Sequence, residues 1–264
     1  MSVNINYPAV SVILSVYNDE SNITDALNSL KNLNNNSIEF IIINDGSTDQ
    51  TLQLLKNYEK LDKRFKIYDQ PNIGLTKSLN KGILLSKGKY IARLDSDDIL
   101  LPNRINQQLE FLEKNQNISL VCGLTININN NNKIYLTDFL KEDQLKIRLQ
   151  KVNCIPHSSV MIRSSALKEI GHYNEQFTTS QDYELWMRFL SSKHRIVMLP
   201  EVLVIRKITL KGVSRTKLLF QSKNSFLIRK RFSNINFVHN LLLFLHQFIF
   251  GFISNIIAKV DLRK

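Results

Sequence analysis

Four apolar runs in the first hundred residues, at 9–16, 38–43, 65–68 and 90–94, alternate with stretches of helical spacing. This alternation limits the fold more than any other feature of the chain. After the first run, Ala26, Leu27, Leu30 and Leu33 recur at three- to four-residue steps, the period of one helix face, with Asp19 or Ser21 placed to cap it. The second run, with Phe40, is apolar without alternation, which suits a strand covered on both faces. Asp45-Gly46-Ser47 reads as a turn, and Ser47 or Thr48 as the start of a helix through Leu54, Leu55 and Tyr58. A helix over 75–85, then Gly88, leads to the fourth run. The expected class is α/β: a Rossmann-like, mostly parallel central sheet with helices on both faces and ligand-bearing loops at the strand ends.

Past Pro102 the pattern predicts a helix to about Lys114, a strand over 119–127, a helix over 139–149 and a strand over 157–162. A helix over 182–190 and strands over 195–199 and 202–208 follow. Five asparagines in residues 127–132 mark a turn or loose loop. With 43% hydrophobic residues and 14 Phe in 264, disorder and cysteine-rich scaffolds are excluded. Cys122 and Cys154 alone make no zinc site. Met1 to Pro8 has neither a basic head nor an apolar core, so no signal peptide is expected and the cytoplasm is the default.

The formal charge of +12 is unevenly placed. The first 201 residues hold 23 basic and 22 acidic side chains, whereas ten basic residues and no acid lie between Glu201 and Asp261. Such a local surplus fits an anionic surface better than a nucleic-acid coat, although part of it could face a diphosphate. Residues 237–258 carry no charged side chain, and their length approaches that of a bilayer span. Yet Asn240, Gln247 and Ser254 recur every seven residues and form one stripe. An in-plane membrane helix, a core or dimer helix and a true span are the three readings. The basic run before it favours the first.

The densest chemical signal is Arg93-Leu94-Asp95-Ser96-Asp97-Asp98, directly after an apolar strand. Three carboxylates in four residues repel one another unless a cation sits between them, and oxygen ligands of this kind suit Mg2+ or Mn2+. The bland alternative is a solvated turn, with Asp98 as a helix cap. Asp45 could accept hydrogen bonds from a base or ribose, or could be a turn residue bonded to backbone. Asp182 opens a helix that also carries Leu185, Trp186 and Phe189; it could be a first-turn charge or a base held on a rigid helix end. No Gly-x-Gly-x-x-Gly and no P-loop pattern occurs, so dinucleotide reductases and P-loop NTPases fit poorly.

In order along the chain, 10–18, 40–49, Asn72-Ile73-Gly74-Leu75 through Gly82, Ala92 to Asp98, His157 to Met161 and Gln181 to Trp186 resemble the motifs of family 2 inverting glycosyltransferases with the GT-A fold. The resemblance is to the bacterial surface-polysaccharide and lipooligosaccharide type and covers about residues 8–215. It implies a catalytic domain over 1–215, with a nucleotide-binding half at 1–100 and an acceptor-binding half at 101–215. Residues 216–264 would be a helical, basic and apolar extension.

The resemblance further implies that Ser15, Asn18 and Asp45 lie near the nucleoside and Lys77 near the base or diphosphate. Asp95 would contact ribose or metal, Asp97 would be the surest metal ligand with Asp98 beside it, and Asp182 would be the general base. His157 could hold substrate or be a packed strand-end residue; Tyr183 and Trp186 read as structural, although Trp186 could wall the acceptor pocket. The implied cofactor is Mn2+ or Mg2+. The implied partners are a nucleotide-diphosphate sugar, UDP-linked by preference, and a glycan or lipid-linked saccharide acceptor. An anionic inner-membrane surface is expected to meet 206–260 on the cytoplasmic side; no nucleic acid is expected and a homo-oligomer is compatible. Two departures stand out. Asn44-Asp45 replaces the common double aspartate, and the histidine that many relatives carry near Ile208 is absent, leaving Arg206, Lys207 or Lys211 to compensate. Rival readings are a nucleotidyltransferase, which would need a Gly- and Lys-rich loop that 11–20 lacks, and a non-catalytic basic membrane- or nucleic-acid-binding protein.

Overall fold

The computed structural model describes residues 8–129, 133–208 and 217–261, with side chains described as far as residue 249. The strands β1 (Val10–Val16), β2 (Ile38–Asn44), β3 (Phe65–Asp69) and β4 (Tyr90–Arg93) form a parallel half-sheet in the order β3-β2-β1-β4. β1 and β2 are buried along their whole length, which is the physical reason their sequences are mostly apolar without alternation, the buried Ser11 and Glu39 bonding each other. Val10, Val12, Leu14 and Val16 share one core with residues of α1 (Ile23–Lys31) and α2 (Thr51–Leu61). Ile13 points to the opposite face and joins Leu79 of α3 (Leu75–Leu85).

The chain then widens the sheet. β5 (Ile99–Leu100), α4 (Arg104–Lys114), β6 (Ile118–Asn129), β7 (Ile134–Leu136), α5 (Glu142–Leu149), β8 (Met161–Arg163), α6 (Ser164–Ile170), α7 (Gln181–Leu190) and β9 (Arg195–Ile208) follow in order. The sheet continues β4-β8-β6-β9-β5, with β7 paired to β6. β8 is antiparallel to both β4 and β6, so β6 and β9 again run with the parallel half. The carboxyl ends of β1, β2, β4 and β9 therefore open on one edge. There, Ile99 of β5 pairs with Ile205 of β9 and brings Arg206 beside the acidic loop.

Several local expectations are corrected. Residues 157–162 are not a continuous strand: His157–Ser159 is one turn of 3-10 helix, because Pro156 presets the chain and its carbonyl accepts from Ser159 N at 3.0 Å. The two strands expected at 195–199 and 202–208 are one, β9, which passes Pro200 with register shifts against β6. The helix expected from 139 starts at Glu142, where Gln144 Oε1 accepts from Lys141 N at 3.0 Å. Neither Asp19 nor Ser47 caps a helix; both are used across loops, as described below. Most of the asparagine run lies outside the described residues.

Two helices complete the chain, α8 (Leu218–Phe232) and α9 (Phe237–Asp261). Ile228 of α8 belongs to the same core as Trp186 and Leu185 of α7. Asn224 Nδ2 donates to Thr179 O and Oγ1 at 3.0 and 2.9 Å, just ahead of α7. α9 lies on α8 with its polar stripe inward: Arg229 Nε donates to Asn240 Oδ1 at 2.7 Å and Nη1 to Gln247 Oε1 at 3.2 Å. Ser254, the third member of the stripe, has no described side chain. Among the described residues no helix is long and apolar enough to cross a membrane.

Gly88 marks a close backbone approach in the parallel half. A Cβ there would meet Ser11 N at 2.5 Å and Ser11 Oγ at 2.8 Å. That hydroxyl already accepts from Gly88 N and donates to the buried Glu39 carboxylate at 2.6 Å. Gly88→Ala is expected to destabilise the fold by about 1–3 kcal/mol, the usual cost of overpacking. Thermal unfolding checks it; an unchanged midpoint would mean that β1 and the turn before β4 are looser than described.

Candidate active site

The acidic loop leaves β4 against two buried guanidinium groups. Arg93, 3% exposed, ion-pairs with Asp95. Arg104, fully buried, donates through Nη2 to the carbonyls of Arg93 and Val160 at 2.9 and 3.0 Å and so fixes the backbone behind the loop. The second oxygen of Asp95 accepts from Ser158 Oγ at 2.7 Å. Burial alone would raise the Asp95 pKa, but Arg93, His157 and the Ser158 hydroxyl outweigh it and hold the carboxyl well below the usual range. Asp97 and Asp98 behave oppositely. Burial first, then the charges of Asp95 and Asp19, push Asp97 up to about 6. Burial and the neighbouring aspartates push Asp98 up to about 7, although Arg206 Nε stands 3.7 Å from its Oδ2.

This pattern bears on a cation. Asp98 Oδ2 is buried and has no hydrogen-bond partner, and two carboxyls are held up by negative neighbours, a tension that a divalent ion would relieve. Asp95 is already committed on both oxygens. Among the described residues no group of three or more His, Cys, Asp or Glu side chains is placed to hold an ion by itself. The donor set therefore fits an ion that takes one or two carboxylates from the protein and the rest of its shell from water and substrate oxygens.

The first two loops are tied across the crevice mouth. Asn18, at φ +48°, accepts from Thr48 N at 2.7 Å, and its own N–H donates to Ser47 Oγ at 3.0 Å. The backbone N–H of Asp19 donates to Thr51 Oγ1 at 2.9 Å, and its carboxylate accepts from Ser96 Oγ at 2.6 Å, linking this loop to the acidic one. Ser15 lies at the end of β1, 7% exposed. Asp45, 3% exposed, accepts from Ile73 N and Gly74 N at 2.9 Å each and from Gln70 Nε2 at 2.8 Å. Its carboxylate thus shapes the loop that enters α3, where Lys77 is exposed. Gly46 is required beneath that loop: its φ is +75° and a Cβ would lie 2.5 Å from Asn72 N.

On the far wall, Asp182 sits in the first turn of α7, directly after Ser180 at φ +57°, a left-handed conformation unusual for a residue with a side chain. α8 braces that turn, since Ser180 Oγ donates to Gln221 O at 3.3 Å. Asn153 Nδ2 donates to Asp182 Oδ2 at 2.7 Å. His157 is bonded through Nε2 to Tyr173 OH at 2.7 Å and meets Trp186 edge-on at 6.0 Å. Burial, then Arg93, lower its pKa to about 4, against the pull of Asp182 and Asp95, so the ring is neutral near pH 7. Tyr183 and Trp186 are fully buried, Tyr183 OH donating to Leu149 O at 2.7 Å; Trp186 belongs to the core and has no exposed face with which to wall a pocket.

His157 lies within electrostatic reach of Arg93, Asp95, Arg206 and Asp182, so the start of the acidic loop and the start of α7 are neighbours of one residue. Of the basic residues near Ile208, Arg206 faces the acidic loop, Lys207 ion-pairs with Asp25 on α1, and Lys211 lies outside the described residues. Sequence reasoning missed Asn153, Ser158 and the inward turn of Asp19. Nothing local marks Asn153; Ser158 stands in a quoted motif without an assigned role.

Residues 11–171 match Glycosyl transferase family 2. An uncharacterized glycosyltransferase of Methanocaldococcus jannaschii is 32% identical over 204 residues, 75% of this chain and 70% of that protein. One of Haemophilus influenzae is 32% identical over 248 residues, 89% of this chain and 76% of that protein. Among solved structures, S. aureus TarS 1–349 in complex with UDP-GlcNAc superposes with TM-score 0.67 at 20% identity, covering 93% of this chain and 72% of that one. The mannosyltransferase PcManGT from Pyrobaculum calidifontis, in complex with GDP-Man and Mn2+, gives TM-score 0.67 at 13% identity, covering 94% and 71%. The architecture is thus the GT-A fold, and the chain belongs to glycosyltransferase family 2.

Proposed function

We propose that this glycosyltransferase moves a hexosyl or N-acetylhexosaminyl group, with inversion, from a UDP-sugar to a hydroxyl of a glycan or lipid-linked saccharide in cell-surface polysaccharide synthesis. The observation that carries the reading is the position of Asp182. It stands at a helix start, one oxygen held by Asn153, and shares with Asp95 of the acidic loop the neighbourhood of His157. With Oδ2 fixed by Asn153, Oδ1 is the atom left to accept the proton of the acceptor hydroxyl. The acceptor oxygen, as it gives up that proton, attacks the anomeric carbon while the bond to the diphosphate breaks on the opposite face. An α-linked donor then gives a β-linked product and a free nucleoside diphosphate.

Other residues bind or brace. Ser15, Asn18 and Asp45 line the nucleoside end, Asp45 acting through the 70–74 loop that it holds as well as by contact. Lys77 and Arg206 offer positive charge to the diphosphate, and Arg206 takes the place of the missing histidine. Mn2+ or Mg2+ would be held by Asp97, with Asp98 or Asp95 beside it, and when bound it supplies Lewis-acid stabilisation of charge on the departing diphosphate. A sugar nucleotide crystallised with TarS, and GDP-Man with Mn2+ on PcManGT, support the donor class and the ion. We place the reaction at the cytoplasmic face of the inner membrane, where a lipid-linked acceptor presents its hydroxyl.

Nucleoside diphosphate release from a panel of sugar nucleotides, with and without Mn2+, tests the reading. Asp182→Asn is expected to lower kcat by about 10²–10⁴, the usual worth of a positioned base, and Asp97→Asn to remove the response to Mn2+. Normal turnover by both variants would sink the assignment.

Asn153→Ala should lower kcat about 10- to 100-fold, the worth of a hydrogen bond to a charged group, with little change in donor KM. A matching fall in the thermal unfolding midpoint, or a rise in donor KM as large as the loss in kcat, would mean only structural damage.

In the free protein, Asp97 and Asp98 hold protons to about pH 6 and 7 that the unfolded chain loses near 4, so their contribution to stability falls as pH rises through that window. A cation must displace those protons. Mn2+ should therefore raise the unfolding midpoint more at pH 8 than at pH 5, and calorimetry should find no such gain in Asp97→Asn.

A further inference from the structure

The outward faces of α8 and α9 match neither a solvent-facing helix nor a buried one. On α8, Ser222, Ser225, Ile228 and Arg229 are buried, while Phe220, Lys223, Leu227, Lys230 and Arg231 are exposed and recur at three- to four-residue steps, hence on one face. On α9 the arrangement reverses what water would select. The polar groups Asn240 and Gln247 turn inward to Arg229, and Val238, Leu241, Leu242, Leu245 and Ile249 are exposed, Val238 and Leu242 by 66% and 60%.

Arg229 enforces this orientation. Its guanidinium is fully buried, and the partners it finds are oxygens: the side chains of Asn240 and Gln247 and, at 3.4 Å, the carbonyl of Lys151. A buried cation that lost these acceptors would be strongly unfavourable, so the polar stripe of α9 stays against α8 and its apolar side stays out.

We infer that this composite face is the docking surface for an anionic lipid bilayer, with Leu241, Leu242, Leu245 and Ile249 entering the acyl boundary and Lys223, Lys230 and Arg231 meeting acidic headgroups. Charge decides the occupant. From 202 to 260 the chain has no acidic residue, so a second copy laid on this face by two-fold symmetry would set like charges together. A negatively charged leaflet complements both the cations and the apolar side chains between them. The inference deepens the inner-membrane location proposed above and is independent of which residue is the base.

Co-sedimentation of the full chain with vesicles tests it. Binding is expected to vesicles of phosphatidylcholine with 30 mol% phosphatidylglycerol, about tenfold weaker or more at 0.5 M salt, and near background to phosphatidylcholine alone. At 0.5 M salt the screening length falls well below the roughly 10 Å it has at 0.1 M, which weakens attraction between exposed charges. The triple change Lys223→Gln, Lys230→Gln, Arg231→Gln and the double change Leu242→Asp, Leu245→Asp should each lower binding by tenfold or more while donor turnover in solution is kept. Asp182→Asn should bind like the parent, which separates this inference from the catalytic one. Failure of the parent chain to bind anionic vesicles, equal binding to neutral ones, or a stable dimer in light scattering that Leu242→Asp dissolves would each overturn it.

Discussion

The site is built on compensated charge. Asp95, Asp97 and Asp98 leave β4 within four residues and are largely buried, an arrangement that self-repulsion would unfold without opposing cations. Arg93 and Arg104 stand behind the loop, and Arg206 faces it from β9. Arg93 and Ser158 occupy Asp95, while burial first and then the neighbouring aspartates hold Asp97 and Asp98 up in pKa. A site that is complete on one side and short of positive charge on the other is what the proposed binding of a cation with the donor would require.

That same compensation depends on topology. Arg206 reaches the acids because β5 pairs antiparallel with β9, and Ser158 reaches Asp95 because a 3-10 turn precedes β8. The antiparallel insertion thus carries the neutralising groups back to the edge where the parallel strands end. The C-terminal helices extend the chain of support. α8 holds the Thr179–Ser180 turn and the Lys151 carbonyl, and these flank Asp182 and Asn153 respectively. One arginine, Arg229, therefore orients α9 and lies against the segment whose Asn153 holds Asp182.

Much of the architecture was legible in the chain. The strands β1 and β2 announce themselves because both faces are buried, so apolar residues dominate them without the alternation of a half-wet strand. α3 begins and ends where its spacing says. The short strands were not legible: β5 and β7, at two and three residues, are too brief to show a period and exist only because a partner strand lies beside them. Asp19, Ser47 and Thr48 look like helix caps locally, yet their side chains bond across to another loop instead of capping.

By itself, then, the sequence determined the alternating α/β layers, the acids at a strand end, the Asp182 helix start and the family. Each of these follows from local periodicity or from residue types at short spacing. Tertiary structure alone decided that Asn153 grips Asp182, that Asp45 spends its carboxylate on the 70–74 loop, and that the polar stripe of α9 faces inward. Those outcomes depend on partners 11 to 29 residues distant or more, and a side chain's choice among distant partners is settled by packing, which no local pattern encodes.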